Sequence, residues 1–583
     1  MERNTYKDGK LSKKQKELIA IGILVVINCE SCMEWHIKQA ACNLKYIICL
    51  FVFFVLCIDK AHTQFLQADI SIYAEDTLTI SAFRTGVTHT QYSLDPWGNQ
   101  AAIDNARILL ENSTCFQNQH IMAWGAGNPW PDSAVVDESD WEWESLDRRI
   151  DLIRETNGTP VITFCACPTW MHTPSKNGTT DWEAIETAPT PAHYNKFAHL
   201  CAGVARRYPD VEYFQVWNEL KGFYLASENR WDYESYTLMY NIIYDSVKAV
   251  NGDAKIGGPY ITMDSWSTDL ISHPSELEGE YGVIDQRPLD VISYWLEHKH
   301  GAELLTVDGG TMNKDSIWIT DAFTAAQKYV DIISWIRQQE WGSDTLPVWW
   351  CEWYSYPADN AQQDDLTLNN AVMASCMIET IKAGYANAMI WQPQGDSEGC
   401  SFPLGIWTDT QITGGGQPTL YYYTQKAFMD FFSKGAVIFN TASSTEDVSV
   451  FASEHNTLLV NHLDEPVYVT VNDDVSTILD AYEVQLSENF NQAKDKLSEN
   501  EIIIFPNPAS GYLTIVNAGN NNSEIICELY NSYGQHLKAY TVHEYLPGNK
   551  EIILNIDNLD PGIYLCRFKS GNTSFCKHIV KAE

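Results

Sequence analysis

"VEYFQVWNELKGFY" (residues 211–224) runs as an apolar strand directly into Asn218 and Glu219. A carboxylate, which ordinarily ionises near about pH 4, is costly at the end of a buried run unless a partner or a chemical role holds it there. The same strand-then-polar pattern returns along the chain in "TPVITFCAC", "AKIGG", "LDVISYW", "LPVWWCE" and "ANAMIWQ". Short, continuously apolar runs of this kind suit strands covered on both faces, as in parallel sheets. The expected strands end near Thr85, Trp124, Ala166, Trp217, Gly258, Tyr294, Glu352 and Trp391.

Between these runs, "AAIDNARILLEN", "WESLDRRIDLIRET", "HYNKFAHLCAGVARRY", "SYTLMYNIIYDSVKAV", "AFTAAQKYVDIISWIRQQ" and "LNNAVMASCMIETIKAG" place apolar residues at helical spacing, the last with Gly384 as its C-cap. Eight alternations in roughly 350 residues predict an α/β fold, a closed (β/α)8 TIM barrel over residues 65–435. A doubly wound sheet is the alternative, but no glycine-rich phosphate turn follows the first strand.

In such a barrel the chemistry sits at the C-terminal ends of the strands, which brings Glu219 after strand four and Glu352 after strand seven to one mouth. Two carboxyls across a sugar-sized gap are what glycosidic cleavage requires: one protonates the departing oxygen and the other captures the anomeric carbon. Burial and a negative partner are expected to raise the pKa of Glu219 and keep it an acid. Asn218 is placed to hydrogen-bond a sugar 2-hydroxyl, and Trp391 to floor the subsite of the cleaved sugar. His89, Trp124, Tyr294 and His298 are further candidates for the pocket wall, each with a buried structural role as the alternative. Arg84 either orients Glu352 or locks the barrel floor. No carboxylate cluster at metal-ligand spacing stands out, so neither a catalytic metal nor a cofactor is expected.

On "WNE" and "WWCEWY" the chain from about 75 to 435 resembles clan A glycoside hydrolases, nearest to family 39 and its β-xylosidase-like relatives. The resemblance implies a retaining double displacement with Glu219 as acid/base, Glu352 as nucleophile, and carboxyl oxygens roughly 5–5.5 Å apart. "WNELKG" lacks the proline that many members carry after the Glu, which leaves the sugar open. A β-linked plant or algal oligo- or polysaccharide is the substrate class implied. A non-catalytic carbohydrate-binding barrel is the alternative.

The flanking segments differ in character. Residues 436–480 switch to short alternating runs and predict an accessory β-domain, which the early strand "ADISIYAEDTLTI" is expected to join; 481–500 reads as a linker. Residues 501–583, with "IIIFPNPASGYLTI" and "IDNLDPGIY", predict a C-terminal β-sandwich and resemble the sorting domain of type 9 secretion substrates. That resemblance implies the secretion machinery as a partner and a secreted or cell-surface location. Residues 46–58, "YIICLFVFFVLCI", are too short to span a bilayer comfortably and fit the core of a signal peptide over 43–64.

Upstream, Cys29 and Cys32 could form a redox dithiol, with Glu17 and His36 relaying protons. Over residues 11–41 these positions resemble the alkylhydroperoxidase and carboxymuconolactone decarboxylase family. The resemblance implies thiol peroxidase chemistry for a helical fragment 1–42; a fused or mis-started reading frame is the alternative.

Composition narrows the partners. Among 583 residues, 76 acidic side chains outnumber 38 basic ones, for a formal charge of −38. Such a surface repels nucleic acid and anionic membranes, so neither is an expected partner. The 20 Trp and 30 Tyr, several beside polar strand ends, supply flat apolar faces of the kind that sugar rings stack on.

Overall fold

The computed structural model describes residues 66–88, 94–122, 125–131, 134, 137–172, 187–270, 273–342, 344–355, 365–395, 405–472 and 475–488. In the tail it describes 502–505, 512–517, 525–531, 536–542, 550–570 and 573–581. The dithiol segment with Glu17, Cys29, Cys32 and His36, the signal-like segment, His89 and Trp124 lie outside the described residues.

Eight parallel strands close into a barrel. They are β2 (Arg84–Thr88), β3 (Phe116–His120), β4 (Thr159–Phe164), β5 (Tyr213–Val216), β6 (Lys255–Thr262), β7 (Leu304–Gly310), β8 (Val348–Tyr354) and β9 (Asn387–Trp391). β9 pairs back onto β2 in unbroken register from Asn387↔Arg84 to Trp391↔Thr88, which completes the ring. Phe116, Val161, Tyr260, Leu304, Trp349, Cys351 and Met389 form one apolar cluster. The other strand faces pack on the surrounding helices in the main core.

The helices are α1 (Gln100–Ser113), α2 (Glu144–Glu155), α3 (Tyr194–Arg207), α4 (Tyr233–Val250), α5 (Gln286–His298), α6 (Gln327–Arg337), α7 (Leu366–Lys382) and α8 (Leu420–Phe431). Side chains that satisfy the first-turn amides start several of them. Asn99 accepts from Ala102, Asp232 from Ser235, Asp365 from Thr367 and Leu368, and Thr419 from Tyr422. Gly384, with φ at 89°, ends α7 in the left-handed conformation expected of its C-cap.

One strand assignment is corrected. "LDVISYW" is not the sixth strand but part of α5, whose N-cap Asp285 accepts from the Arg287 amide. Its buried residues Pro288, Val291, Ile292 and Trp295 recur at helical, not alternating, spacing. The sixth strand is β7, "LLTVDGG", whose glycine ending hid it. Tyr294 and His298 therefore lie on a surrounding helix, not after a barrel strand. Their rings stack on each other with centroids 4.0 Å apart, and His298 is 43% exposed.

Beside the barrel, β1 (Leu66–Ile80), β10 (Val437–Ser443), β11 (Val448–Ala452), β12 (Asn456–Asn461), β13 (Val467–Val471), β14 (Val475–Leu479) and β15 (Val484–Glu488) form two sheets, β10-β1-β13-β14 and β11-β12-β15. The early strand thus joins the accessory domain as expected, and the barrel itself opens at Arg84. β15 carries the domain into the stretch expected to be linker. Ala68, Ile70, Val450, Leu459, Val469 and Leu479 fill the space between the sheets, while Ile438, Phe451, Leu458 and Val460 belong to the barrel's core cluster.

The tail strands are β16 (Ile502–Phe505), β17 (Tyr512–Asn517), β18 (Ile525–Asn531), β19 (His536–Val542), β20 (Lys550–Asn555), β21 (Gly562–Ser570) and β22 (Thr573–Lys581). They make two antiparallel sheets around a separate core of Leu513, Ile515, Cys527, Leu529, Leu554 and Phe568. None of Cys115, Cys165, Cys201, Cys351, Cys376 and Cys527 is in a disulfide. No helix among the described residues is long and apolar enough to cross a membrane.

His462 couples the accessory domain to the barrel. Its ring stacks on Phe323 at 4.1 Å, and Nε2 meets the hydroxyls of Ser375 (3.1 Å) and Ser449 (2.9 Å). Burial, only partly offset by Asp321 and Asp447, pushes its pKa down from 6.5 to about 4. A histidine whose folded pKa is depressed contributes stability above its unfolded pKa and loses it as pH falls toward the folded one. The melting temperature is expected to drop between pH 6.5 and 4 by an amount that His462→Gln reduces; equal slopes in the two proteins would refute the assignment.

Candidate active site

β5 ends at Val216, and the chain turns at once. Trp217, Glu219 and Leu220 take φ angles of 71°, 49° and 48°, a left-handed run that non-glycine residues rarely adopt. Strain of this kind persists only where the surroundings impose it, and here they do. Trp217 is 1% exposed and packs on Phe197 and Phe223, while its indole N–H donates to the Lys221 carbonyl at 2.7 Å. The turn aims Asn218, Glu219 and Lys221 into the barrel mouth. Gln392, just past Trp391, is likewise left-handed at 54°.

Glu352 stands near the end of β8 and is 4% exposed. Its Oε1 accepts from the Asn218 amide and the Tyr260 hydroxyl, both at 3.0 Å, and its Oε2 from the Tyr354 hydroxyl at 2.8 Å. His120 Nε2 lies 3.1 Å from the Tyr260 hydroxyl and 3.9 Å from Glu352 Oε1. The His120 ring also contacts Trp391, with centroids 5.9 Å apart. Burial, then the Glu219 charge, push the Glu352 pKa up to about 8 against the pull of Lys221 and the tyrosine donors.

Glu219 is 26% exposed at its side chain; Oε2 pairs with Lys221 Nζ at 2.6 Å, and Oε1 accepts from Thr262 at 3.3 Å. Burial acts to raise its pKa, but the Lys221 charge and hydrogen bond outweigh it, and the carboxyl sits below its ordinary value. This reverses the expectation of a raised pKa at Glu219, because the lysine two residues on folds back to pair with it. Lys221 also donates to the Asn218 side-chain oxygen Oδ1 at 3.1 Å, so the Asn218 side chain ties the two acids together.

A third acid joins them. Asp308 on β7 is level with Glu352 on β8 and with Thr262 on β6, and is fully buried. One carboxyl oxygen from each of Glu219, Asp308 and Glu352 lies within 4.8 Å of the others. Sequence spacing gave no sign of this cluster, since its members come from three separate strand ends. Tyr354 was legible, because it stands two residues from Glu352 on the same face of one strand; Tyr260, His120 and Asp308 carry no local signal.

Among the residues expected at the site, Asn218, Glu219 and Glu352 converge, with Trp391 against His120. Tyr294 and His298, on α5, do not. Arg84 is at the opposite end of its strand, its amide bonded to the Ala386 carbonyl and its guanidinium 5.4 Å over the Phe116 ring. That places it on the barrel floor rather than beside Glu352.

Lys221→Met is expected to raise the pKa of the Glu219 carboxyl, since burial is then opposed only by the hydrogen bonds with Asp308 and Thr262. Carboxyl-carbon NMR titration reads the shift directly, and an unmoved Glu219 would contradict the pairing.

Residues 133–394 match the family described as Glycosyl hydrolases family 39, a span that holds Glu219, Asp308 and Glu352. Residues 503–582 match the Secretion system C-terminal sorting domain, and 1–43 the Carboxymuconolactone decarboxylase family. A β-xylosidase of Caldicellulosiruptor saccharolyticus is 24% identical over 247 residues, which is 41% of this chain and 45% of that protein. The match thus spans less than half of the relative's length. Among solved structures, SrfJ of Salmonella typhimurium aligns with a TM-score of 0.50 and 12% identity, over 73% of this chain and 93% of that one. The GH39 enzyme of Xanthomonas axonopodis pv. citri aligns at 0.48 and 12%, over 90% and 99%. Both carboxylates thus lie inside the span that matches glycosyl hydrolase family 39 and at the mouth of a closed (β/α)8 barrel, in one chain with stretches similar to a sorting domain and to the carboxymuconolactone decarboxylase family.

Proposed function

We propose that the protein is an exported retaining glycoside hydrolase that cleaves β-glycosidic bonds in a plant or algal glycan, β-xylosidase-like in its mechanism. The observation that carries the reading is the approach of Glu219 and Glu352 to within 4.8 Å. Retaining pairs stand about 5–5.5 Å apart, whereas an inverting pair needs about 6.5–9.5 Å to admit a water. Glu352, gripped by Asn218, Tyr260 and Tyr354, is the nucleophile: three donors fix its orientation and disperse its charge until it attacks. Glu219, nearer solvent, protonates the leaving oxygen and then activates water against the glycosyl ester. Asn218 faces the sugar 2-hydroxyl, and Trp391 floors the subsite. Family likeness to a β-xylosidase supports the β-linked substrate, and the sorting domain supports export by type 9 secretion after removal of a signal peptide.

Glu219→Gln is expected to lower kcat on unactivated glycosides by about 10²–10⁴ while sparing binding and activated aryl glycosides. Glu352→Gln is expected to abolish turnover of both; full activity in either variant ends the assignment. Because the nucleophile must be ionised and burial holds Glu352 near 8, kcat/KM is expected to rise with pH up to about 8. An acid limb in the ordinary carboxylate range would contradict that environment. N-terminal sequencing of the exported protein is expected to begin near residue 65; retention of Cys29 and Cys32 would revive the thiol chemistry.

A further inference from the structure

Asp308 is not needed for double displacement as just described, yet it occupies the centre of the site. Its side chain is fully buried, and apart from the neighbouring Glu219 carboxyl no group among the described residues hydrogen-bonds its carboxyl oxygens. A buried carboxylate left unpaired is strongly disfavoured, so the group keeps its proton. Burial first, then the charges of Glu352 and Glu219, hold its pKa well above the usual range. Its position is fixed from behind. The Trp350 indole N–H donates to the Gly309 carbonyl and Lys328 Nζ to the Gly310 carbonyl, both at 2.6 Å. A side chain at Gly310 would strike the Tyr354 carbonyl at 2.5 Å.

Proton counting gives this group work to do. Lys221 keeps Glu219 ionised in the resting site, and Glu352 has to ionise before it attacks. When both are charged, the carboxyl that still holds a proton is Asp308, and the acid step needs a proton on Glu219. Sealed from solvent, Asp308 exchanges through its acidic neighbours, of which Glu219 is the one open to the mouth. The other ionisable groups around it are Lys221, Tyr260, Cys351, Tyr354 and Glu352. His120 stands one contact further, on Glu352.

We propose that Asp308 is the proton store of the acid/base, a positioning residue that passes its proton to Glu219 as the leaving oxygen arrives and recovers it when water attacks. The atoms balance. Asp308–H and Glu219 carboxylate become Asp308 carboxylate and Glu219–H; Glu219–H protonates the leaving oxygen as the glycosidic C–O bond breaks and the Glu352 ester forms. In the second half, water adds to the anomeric carbon as the ester breaks, and its proton passes to Glu219 and back to Asp308. The inference rests on the glycosidase reading, and the test keeps the two separable.

The test compares the full-length protein with Asp308→Asn on dinitrophenyl and unsubstituted phenyl β-xylosides. Loss of the store is expected to cut kcat on the phenyl glycoside by about 100-fold, with a loss at least tenfold smaller on the dinitrophenyl one, which needs little acid assistance. The alkaline limb of the pH profile is expected to move to lower pH. Equal losses on both substrates with an unmoved limb, or no loss, would overturn the proposal. A parent protein that cleaves neither xyloside counts against the β-xyloside reading instead. A measurement independent of turnover and of the variant's folding is the infrared spectrum of the parent protein at about pH 9, where ordinary carboxyls are ionised. A persisting protonated-carboxyl band is expected, and its absence overturns the proposal.

Discussion

The site is organised around one ammonium group. Lys221 Nζ bonds Glu219 and Asn218, and its charge is felt by Asp308 and Glu352 in turn. Three carboxyls inside a protein cannot all be ionised beside a single compensating cation; the repulsion at these separations exceeds what hydrogen bonds return. The number of protons in the pocket is therefore set by the lysine, and their distribution by which acid has donors, which has solvent and which has neither. Glu352 has donors, Glu219 has the lysine and the mouth, and Asp308 has neither.

That electrostatic arrangement depends on the barrel. Level positions on β6, β7 and β8 set Thr262, Asp308 and Glu352 in one layer, and the strained turn after β5 swings Glu219 and Lys221 onto it. A closed ring converts distance along the chain into adjacency across the mouth, which is why the chemistry gathers at one end of the strands. It also explains the aromatic rings beneath the layer: in a dry interior every donor aimed at Glu352 is effective, and the tyrosine hydroxyls at 260 and 354 are two of them.

Much of this was legible in linear order. The run ending at "WNE" and the one ending at "WWCEWY" identified the two facing acids, because an acid after a continuously apolar strand has few bland explanations. The eightfold alternation identified the barrel. The misreading of "LDVISYW" shows where pattern alone gives out: a short apolar run fits a buried strand and a helix face equally well, and the capping aspartate just before it was the deciding signal. The true sixth strand ends in two glycines, which look like a turn until the close approach of Tyr354 to Gly310 explains them. Asp308 was missed with that strand. Lys221 was in plain view within "WNELKG", but its effect on Glu219 depends on a side-chain contact that the order of residues does not show.

The accessory sheet has a consequence for how the molecule is made. β1 lies inside the sheet, hydrogen-bonded on one side to β10 from Ile70↔Ser443 to Ile80↔Val437, so its neighbour is synthesised only after the whole barrel. Until then the strand is an unsatisfied ribbon whose backbone amides and carbonyls have no ladder to enter. Closing so long a loop is slow and entropically uphill. β1 therefore acts as a clasp: it fastens only when the strand beyond the barrel has emerged, and it certifies, by that fastening, that everything between has been delivered.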